Sequence, residues 1–206
     1  MRIQPLLILV IISTIFSGCT TVPQPKRKPE EVLSLYLHRK AAVDIIKKWN
    51  INSRAGFSTA NDSGSVSMLW KQKDAAYHIS LIAPLGQGRL DLYGEDTNVV
   101  LKTSDGKTLY GESAQELIKR ATGFTVPVAN LEYWIKGLPG TSKVESLSYN
   151  NDGTIASMQQ SGWDIKYLDY QTFDQISKQT MLPRKLQAIN GNLKIKIVIK
   201  EWNTDE

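Results

Sequence analysis

Leu193-Lys194-Ile195-Lys196-Ile197-Val198-Ile199-Lys200 decides the fold class. Its apolar side chains recur at every second position, so a strand here buries one face and wets the other. Asn190-Gly191 stands immediately before it, the dipeptide favoured in tight antiparallel turns, and Leu186 and Ala188 precede that turn. The unit is therefore a hairpin. Working outward, the same grammar repeats. Trp163, Ile165 and Tyr167 alternate, and Asn150-Asn151-Asp152-Gly153 joins the alternating segments 144–149 and 154–159. Nearer the start, Trp49, Ile51, Ala55 and Phe57 share one side, and Asn61-Asp62-Ser63-Gly64 breaks the run. Val66, Met68 and Trp70 follow, then Tyr77, Ile79, Leu81 and Ala83, then Leu90 and Leu92, then Val99 and Leu101.

Three segments carry a helical period instead. In 30–48, Val32, Leu33, Tyr36, Leu37, Ala41 and Ile45 fall at spacings of three and four, predicting one packed face. Ser113 and Glu116 form a capping box for a helix over 113–122, with Gly123 suited to end it. A shorter helix is predicted over 127–136, with Pro127 in its first turn and Gly137 and Pro139 beyond its end. About ten strands with one apolar face must curl, and only the helices can cover that face. The expected architecture is mainly β with helices (α+β): a strongly curved antiparallel sheet, an incomplete barrel under a helical lid.

The first residues belong to a different class of object. Met1-Arg2 is followed by an apolar run to Phe16, then by Ser17, Gly18 and the only cysteine, Cys19. This is the layout of an export signal, too short for a comfortable transmembrane helix. The expected division is a signal peptide over 1–18, a lipidated tether over 19–30 and a folded domain over 31–206. Three prolines and the cations Lys26, Arg27 and Lys28 make the tether extended and able to touch anionic headgroups.

Composition narrows the function. The 206 residues are 41% hydrophobic and 22% charged, enough apolar content for a core without disulfides. A formal charge of +5 is too small to argue for nucleic acid, though it suits an anionic membrane surface. His38 and His78 have no second histidine at ligand spacing, so no metal site is expected. There is no G-x-S-x-G elbow and no P-loop, and Gly86-Gln87-Gly88 lacks the third glycine of a dinucleotide motif. Neither catalysis nor a cofactor is expected.

The aromatics and one loop are the positive signals. Trp49, Phe57, Met68, Trp70, Leu81, Leu90, Leu92, Trp134, Trp163 and Ile165 sit on predicted inward faces or on the lid. Periodicity does not distinguish a filled core from a hollow one. In Ala83-Pro84-Leu85-Gly86-Gln87-Gly88, Leu85 occupies a turn where apolar residues are unusual, and its expected role is an apolar tip.

Taken in order, these pieces resemble the LolB family of outer-membrane lipoprotein receptors. The resemblance rests on Phe16-Ser17-Gly18-Cys19, which is similar to a lipobox; Trp49 with Ser53-Arg54-Ala55-Gly56-Phe57; Leu69-Trp70-Lys71-Gln72; and Ala83-Pro84-Leu85-Gly86. It continues through Gly123-Phe124-Thr125-Val126-Pro127-Val128, Leu131-Glu132-Tyr133-Trp134-Ile135-Lys136-Gly137-Leu138-Pro139-Gly140, Ser161-Gly162-Trp163 and Leu182-Pro183. Phe16 stands where the lipobox usually has Leu. The resemblance implies acylation of Cys19, with Thr20 directing the chain to the outer membrane, facing the periplasm. It implies a monomer whose apolar cavity, drawn from the ten inward residues, takes lipoprotein acyl chains from a LolA-like periplasmic carrier. It also implies that Leu85 enters outer-membrane lipid during delivery. The residues alone leave a second reading open, a lipidated scaffold that senses lipid or holds a partner without transfer.

Overall fold

The computed structural model describes residues 26–173 and 177–203. The signal segment, Cys19 and most of the tether lie outside the described residues. The first element among the described residues is helix α1 (Pro29–Asp44), so the helix claims Pro29 and Glu30 from the predicted tether. Six strands follow: β1 (Lys48–Ser58), β2 (Ser63–Lys73), β3 (Ala76–Ile82), β4 (Arg89–Glu95), β5 (Asn98–Thr103) and β6 (Thr108–Gly111). Helices α2 (Ala114–Thr122) and α3 (Val128–Trp134) come next. Five strands complete the chain: β7 (Val144–Tyr149), β8 (Ile155–Gln160), β9 (Trp163–Phe173), β10 (Ser177–Asn190) and β11 (Leu193–Asn203).

Among the described residues, eleven strands form one sheet, ordered β6-β5-β4-β3-β2-β1-β11-β10-β9-β8-β7. Every pairing is antiparallel, and β11 lies beside β1, for example with Ala55 opposite Ile197. The edges β6 and β7 do not pair with each other, so the barrel stays open. The link from one edge to the other is the α2–α3 segment. It has to cross the concave face to make that connection, and this is why these two helices form the lid.

Local chemistry sets the lid ends. The Glu116 amide donates to Ser113 Oγ at 3.4 Å, and Gly123 takes a left-handed φ of 80° while its amide donates to the Lys119 carbonyl at 2.8 Å. Ser113→Ala is expected to cost about 1 kcal/mol, a melting shift of about 2–4 °C by calorimetry. Helix α3 is shorter than predicted, with Pro127 standing just before its first turn.

Three expectations about the elements need correction. The sequence pattern misses β6, whose four residues follow a Gly106 turn and carry too little alternation to stand out. It also starts β10 near Leu186, whereas the strand begins at Ser177. Pro183 hides the difference: it pairs with Tyr170 beside a bulge, where a missing amide is tolerated. The larger correction concerns α1. Tyr36, Arg39 and Val43 make its buried face, while Leu33, Leu37 and Ile45 are exposed, Ile45 by 78%. The helix lies across strand ends, near Tyr149, Gly153 and the start of β1, so only a narrow side is covered. A buried arginine outranks three leucine-type residues there because its guanidinium meets backbone carbonyls that need donors.

Candidate functional site

A cavity of about 300 Å³ lies between the lid and the concave face. Ala55, Gly56 and Phe57 from β1, Val66, Met68 and Trp70 from β2, and Ile79 and Leu81 from β3 form its floor. Leu193, Ile195 and Ile197 of β11 extend that floor. Ile118, Thr122, Phe124, Val126, Val128 and Leu131 form its roof. The wall is apolar in chemistry as well as name. Its one hydroxyl, Thr122 Oγ1, donates to the Ile118 carbonyl at 2.8 Å. Its one indole N–H, on Trp70, donates to Gln72 Oε1 at 2.9 Å. Among the described residues, no polar side chain of the wall is left to hold water, so hydrocarbon is the complementary occupant.

A second cleft, of about 400 Å³, lies on the other side of Trp70 and Val128 and is lined by Gln72, Asp96, Glu112, Glu132 and neighbours. Its carboxylates make it unfit for an acyl chain, so chemistry rather than size separates the two spaces.

Of the ten inward residues named from the sequence, Phe57, Met68, Trp70 and Leu81 stand in the apolar wall. Trp49, Leu90, Leu92, Trp134, Trp163 and Ile165 do not line it; they are packed core. Trp49 packs between Trp70 and Trp202 at centroid distances of 5.5 and 5.2 Å. Trp134 packs on Trp163 at 6.0 Å and donates from Nε1 to Gln160 Oε1 at 2.8 Å. Leu90 and Leu92 sit on β4, opposite Leu81 and Ile79. Alternation puts all these residues on one face, but α3 and the neighbouring strands fill most of that face. Only the part of β1, β2, β3 and β11 under α2 and the loop after it keeps room. The roof residues Phe124 and Val126 lie in a loop with no period to mark them as inward, and Val128 opens α3, at the edge of its periodic stretch.

The structure places Leu85 at the tip of the β3–β4 turn, 95% exposed. Pro84–Gly86 forms one 3-10 turn, with the Ala83 amide donating to the Gly88 carbonyl at 2.9 Å and the Gln87 amide to that of Pro84 at 3.3 Å. Leu85 holds a φ of 57°, the left-handed region, which costs a non-glycine residue about 1–2 kcal/mol. A strained, fully exposed leucine is poorly explained by folding alone. The turn joins the ends of β3 and β4 nearest the cavity floor: Leu81 lines the cavity four positions before Leu85.

The histidines have ordinary surroundings. His78 lies within 2.9 Å of Asp91 and stacks on Tyr93, and His38 Nδ1 meets the Ser34 carbonyl at 2.8 Å. Arg89, followed by Ser80 and His78, donates to Asp91 and holds its carboxyl far below the usual carboxylate range.

Lid anchoring is uneven. Arg39 donates from Nη1 to the Gly137 carbonyl at 2.9 Å, from Nη2 to that of Lys136 at 2.8 Å and from Nε to that of Met181 at 3.0 Å. Tyr167 Oη donates to the Trp134 carbonyl at 3.0 Å. Lys136, 1% exposed, pairs with Glu132 at 3.3 Å, and burial lowers its pKa against that partner. Helix α3 and its exit are thus fastened to α1, β8 and β9. Sequence reasoning missed Arg39, because a cation in an amphipathic helix reads as a wet residue.

Among known proteins, the family described as outer membrane lipoprotein LolB matches residues 47–202. An outer-membrane lipoprotein LolB from Alkalilimnicola ehrlichii is 34% identical over 206 residues, covering 98% of each chain. One from Cellvibrio japonicus is 35% identical over 161 residues, covering 78% of this chain and 79% of its own. Among solved structures, a LolA superfamily protein from Nitrosomonas europaea aligns with a TM-score of 0.53 at 7% identity, covering 86% of this chain and 93% of its own. A DUF1329 family protein from Desulfovibrio piger aligns at 0.54 and 6%, covering 85% and 92%. These two show a shared fold, an open curved sheet with helices on its hollow side. Sequence kinship over nearly the whole length, joined to that fold, makes this chain a member of the outer membrane lipoprotein LolB family, a lipid-anchored protein of the outer membrane.

Proposed function

We propose that this lipoprotein receptor, acting as a single chain acylated at Cys19, takes lipoprotein acyl chains from a soluble carrier of the LolA type into the apolar cavity. It then passes them to the outer membrane beside Leu85. The observation that carries the reading is the cavity wall, whose polar groups are all satisfied internally. Each methylene removed from water gains about 0.8 kcal/mol, so a dry wall competes with a carrier for the same chain. No covalent step is involved. Direction follows from relative affinity: carrier, then cavity, then bilayer, which shelters the whole chain. A space of 300 Å³ is at the small end of ligand pockets, about 300–1,000 Å³ in general. A cargo with several chains must therefore widen it, and the apolar roof is the part able to yield.

Ala55→Trp tests the cavity by filling it. Ala55 is half-buried on its floor, so a larger ring has space to occupy. The anchored chain in vesicles is mixed with carrier holding a fluorescent lipopeptide. The variant is expected to accept the lipopeptide at least ten-fold more slowly while melting within several degrees of the parent. Unchanged acceptance would reject the cavity as the acyl site.

A further inference from the structure

Phe57 and Phe124 meet across the cavity with ring centroids 5.1 Å apart. Phe57 stands one residue before the end of β1, on the sheet, and Phe124 on the loop that leaves α2, in the lid. Both rings are half-buried, one side toward the cavity and one toward solvent. Across from Phe57 on β2 is Gly64, where a Cβ would lie 2.8 Å from Phe57 Cε1. The missing side chain is what lets the ring lie where it does.

How the lid is fastened gives this contact its meaning. Among the described residues, no hydrogen bond or ion pair joins 114–127 to a strand. Helix α2 rests by apolar contact on the β5–β6 edge, with Leu117 against Gly111. Its far end, with Phe124, closes onto β1 through the ring contact with Phe57. By contrast, α3 and its exit are held by the Arg39, Tyr167 and Gln160 hydrogen bonds. Opening at the α3 side would strand buried carbonyls and an arginine, each at about 1–3 kcal/mol. Parting the two rings breaks only dispersion and apolar contacts, and an entering hydrocarbon chain supplies the same kind of contact in their place. The exchange is close to neutral there and costly elsewhere.

We infer that Phe57 and Phe124 form the gate of the cavity, and that acyl chains enter and leave between them. This rests on the proposed acyl-binding reading and adds its route. β1 ends at the same side of the sheet as the β3–β4 turn, because β1 runs antiparallel to β2 and β2 to β3. The gate therefore opens toward the strand ends that carry Leu85, and a chain leaving it emerges on the side of the exposed leucine.

The test is a removable bridge. In the anchored chain, Phe57→Cys and Phe124→Cys are joined by a short bis-methanethiosulfonate reagent that dithiothreitol cleaves. The single variant Phe57→Cys, treated identically, controls for modification. The probe is a photoactivatable diacylglyceryl lipopeptide presented on the carrier. Bridging is expected to slow acceptance at least ten-fold, and cleavage to restore it to within two-fold of the unbridged rate. Equal rates with and without the bridge would overturn the gate. If the double variant does not fold, Phe124→Ala decides: faster exchange upholds the gate and an unchanged rate refutes it. The photolabel on the unmodified chain separates the two claims. Labels on Met68, Leu81 or Ile195 keep the acyl cavity even if the gate fails, whereas labels confined to other surfaces remove the cavity itself.

Discussion

Leu85→Glu is expected to lower delivery of lipoprotein into the bilayer at least ten-fold while leaving acceptance from the carrier and the melting temperature unchanged. The separation follows from where the side chain is. At 95% exposed it contributes nothing to the core, so its loss leaves the fold alone. Burying a leucine in hydrocarbon gains about 1.5–3 kcal/mol, and putting a carboxylate in its place changes a gain into a cost of similar or larger size. The swing of several kcal/mol corresponds to more than a factor of ten, even where the tip reaches only part of the way in. Leu85→Gly is expected to retain the turn, since φ of 57° suits glycine better than leucine, and still to lose delivery. The measurement is transfer of a fluorescent lipopeptide from carrier to receptor, and from receptor to vesicle, followed as two separate rates. Delivery at the parental rate by Leu85→Glu would show that the tip has no part in insertion.

Arg39→Leu carries the largest expected effect on stability. The guanidinium is buried, and its three donors serve the carbonyls of Lys136, Gly137 and Met181. Burial lowers the pKa of Arg39, and Tyr170, whose ring centroid lies 5.3 Å from Cζ, heads the influences opposing that shift. Removing the arginine takes a donor from the buried carbonyls of Lys136 and Gly137 and from the part-buried carbonyl of Met181, at about 1 kcal/mol or more each. A loss of about 3–4 kcal/mol is expected, a fall of about 10 °C in melting temperature for a domain of this size. Arg39→Lys should recover only part, because one ammonium cannot reproduce a planar fork aimed at carbonyls on two elements. Thermal unfolding followed by far-ultraviolet circular dichroism checks both. A fall below 2 °C for Arg39→Leu would mean that α1 is not the fastening of the lid.

The strand pattern was legible because burial on one face leaves a period of two in the sequence. Hence 193–200, 65–70 and 163–167 announce themselves. The Ser113 cap and the Gly123 stop are equally local, each needing only residues within one helical turn. Leu85 also stood out, since an apolar side chain between Pro and Gly contradicts ordinary turn chemistry. The cavity was not legible to the same degree. Trp49 and Trp70 share the strand period and the concave face, yet only Trp70 reaches the open space, because Trp202 of β11 packs against Trp49 from the neighbouring strand. The outward face of α1 misled for a related reason: Leu33, Leu37 and Ile45 have the right spacing for packing, but the helix crosses strand ends and, among the described residues, leaves that side exposed.

The sequence by itself determined the antiparallel sheet, the existence of a lid and an exposed leucine, since each is written in spacing between near neighbours. Which inward residues enclose a void, and where the lid is free to lift, came only from the tertiary structure. Those properties depend on contacts between distant segments: Phe57 with Phe124, Arg39 with Gly137, Trp49 with Trp202. A side chain's facing is a local property of its strand. The space left over after every neighbour has packed belongs to the whole fold.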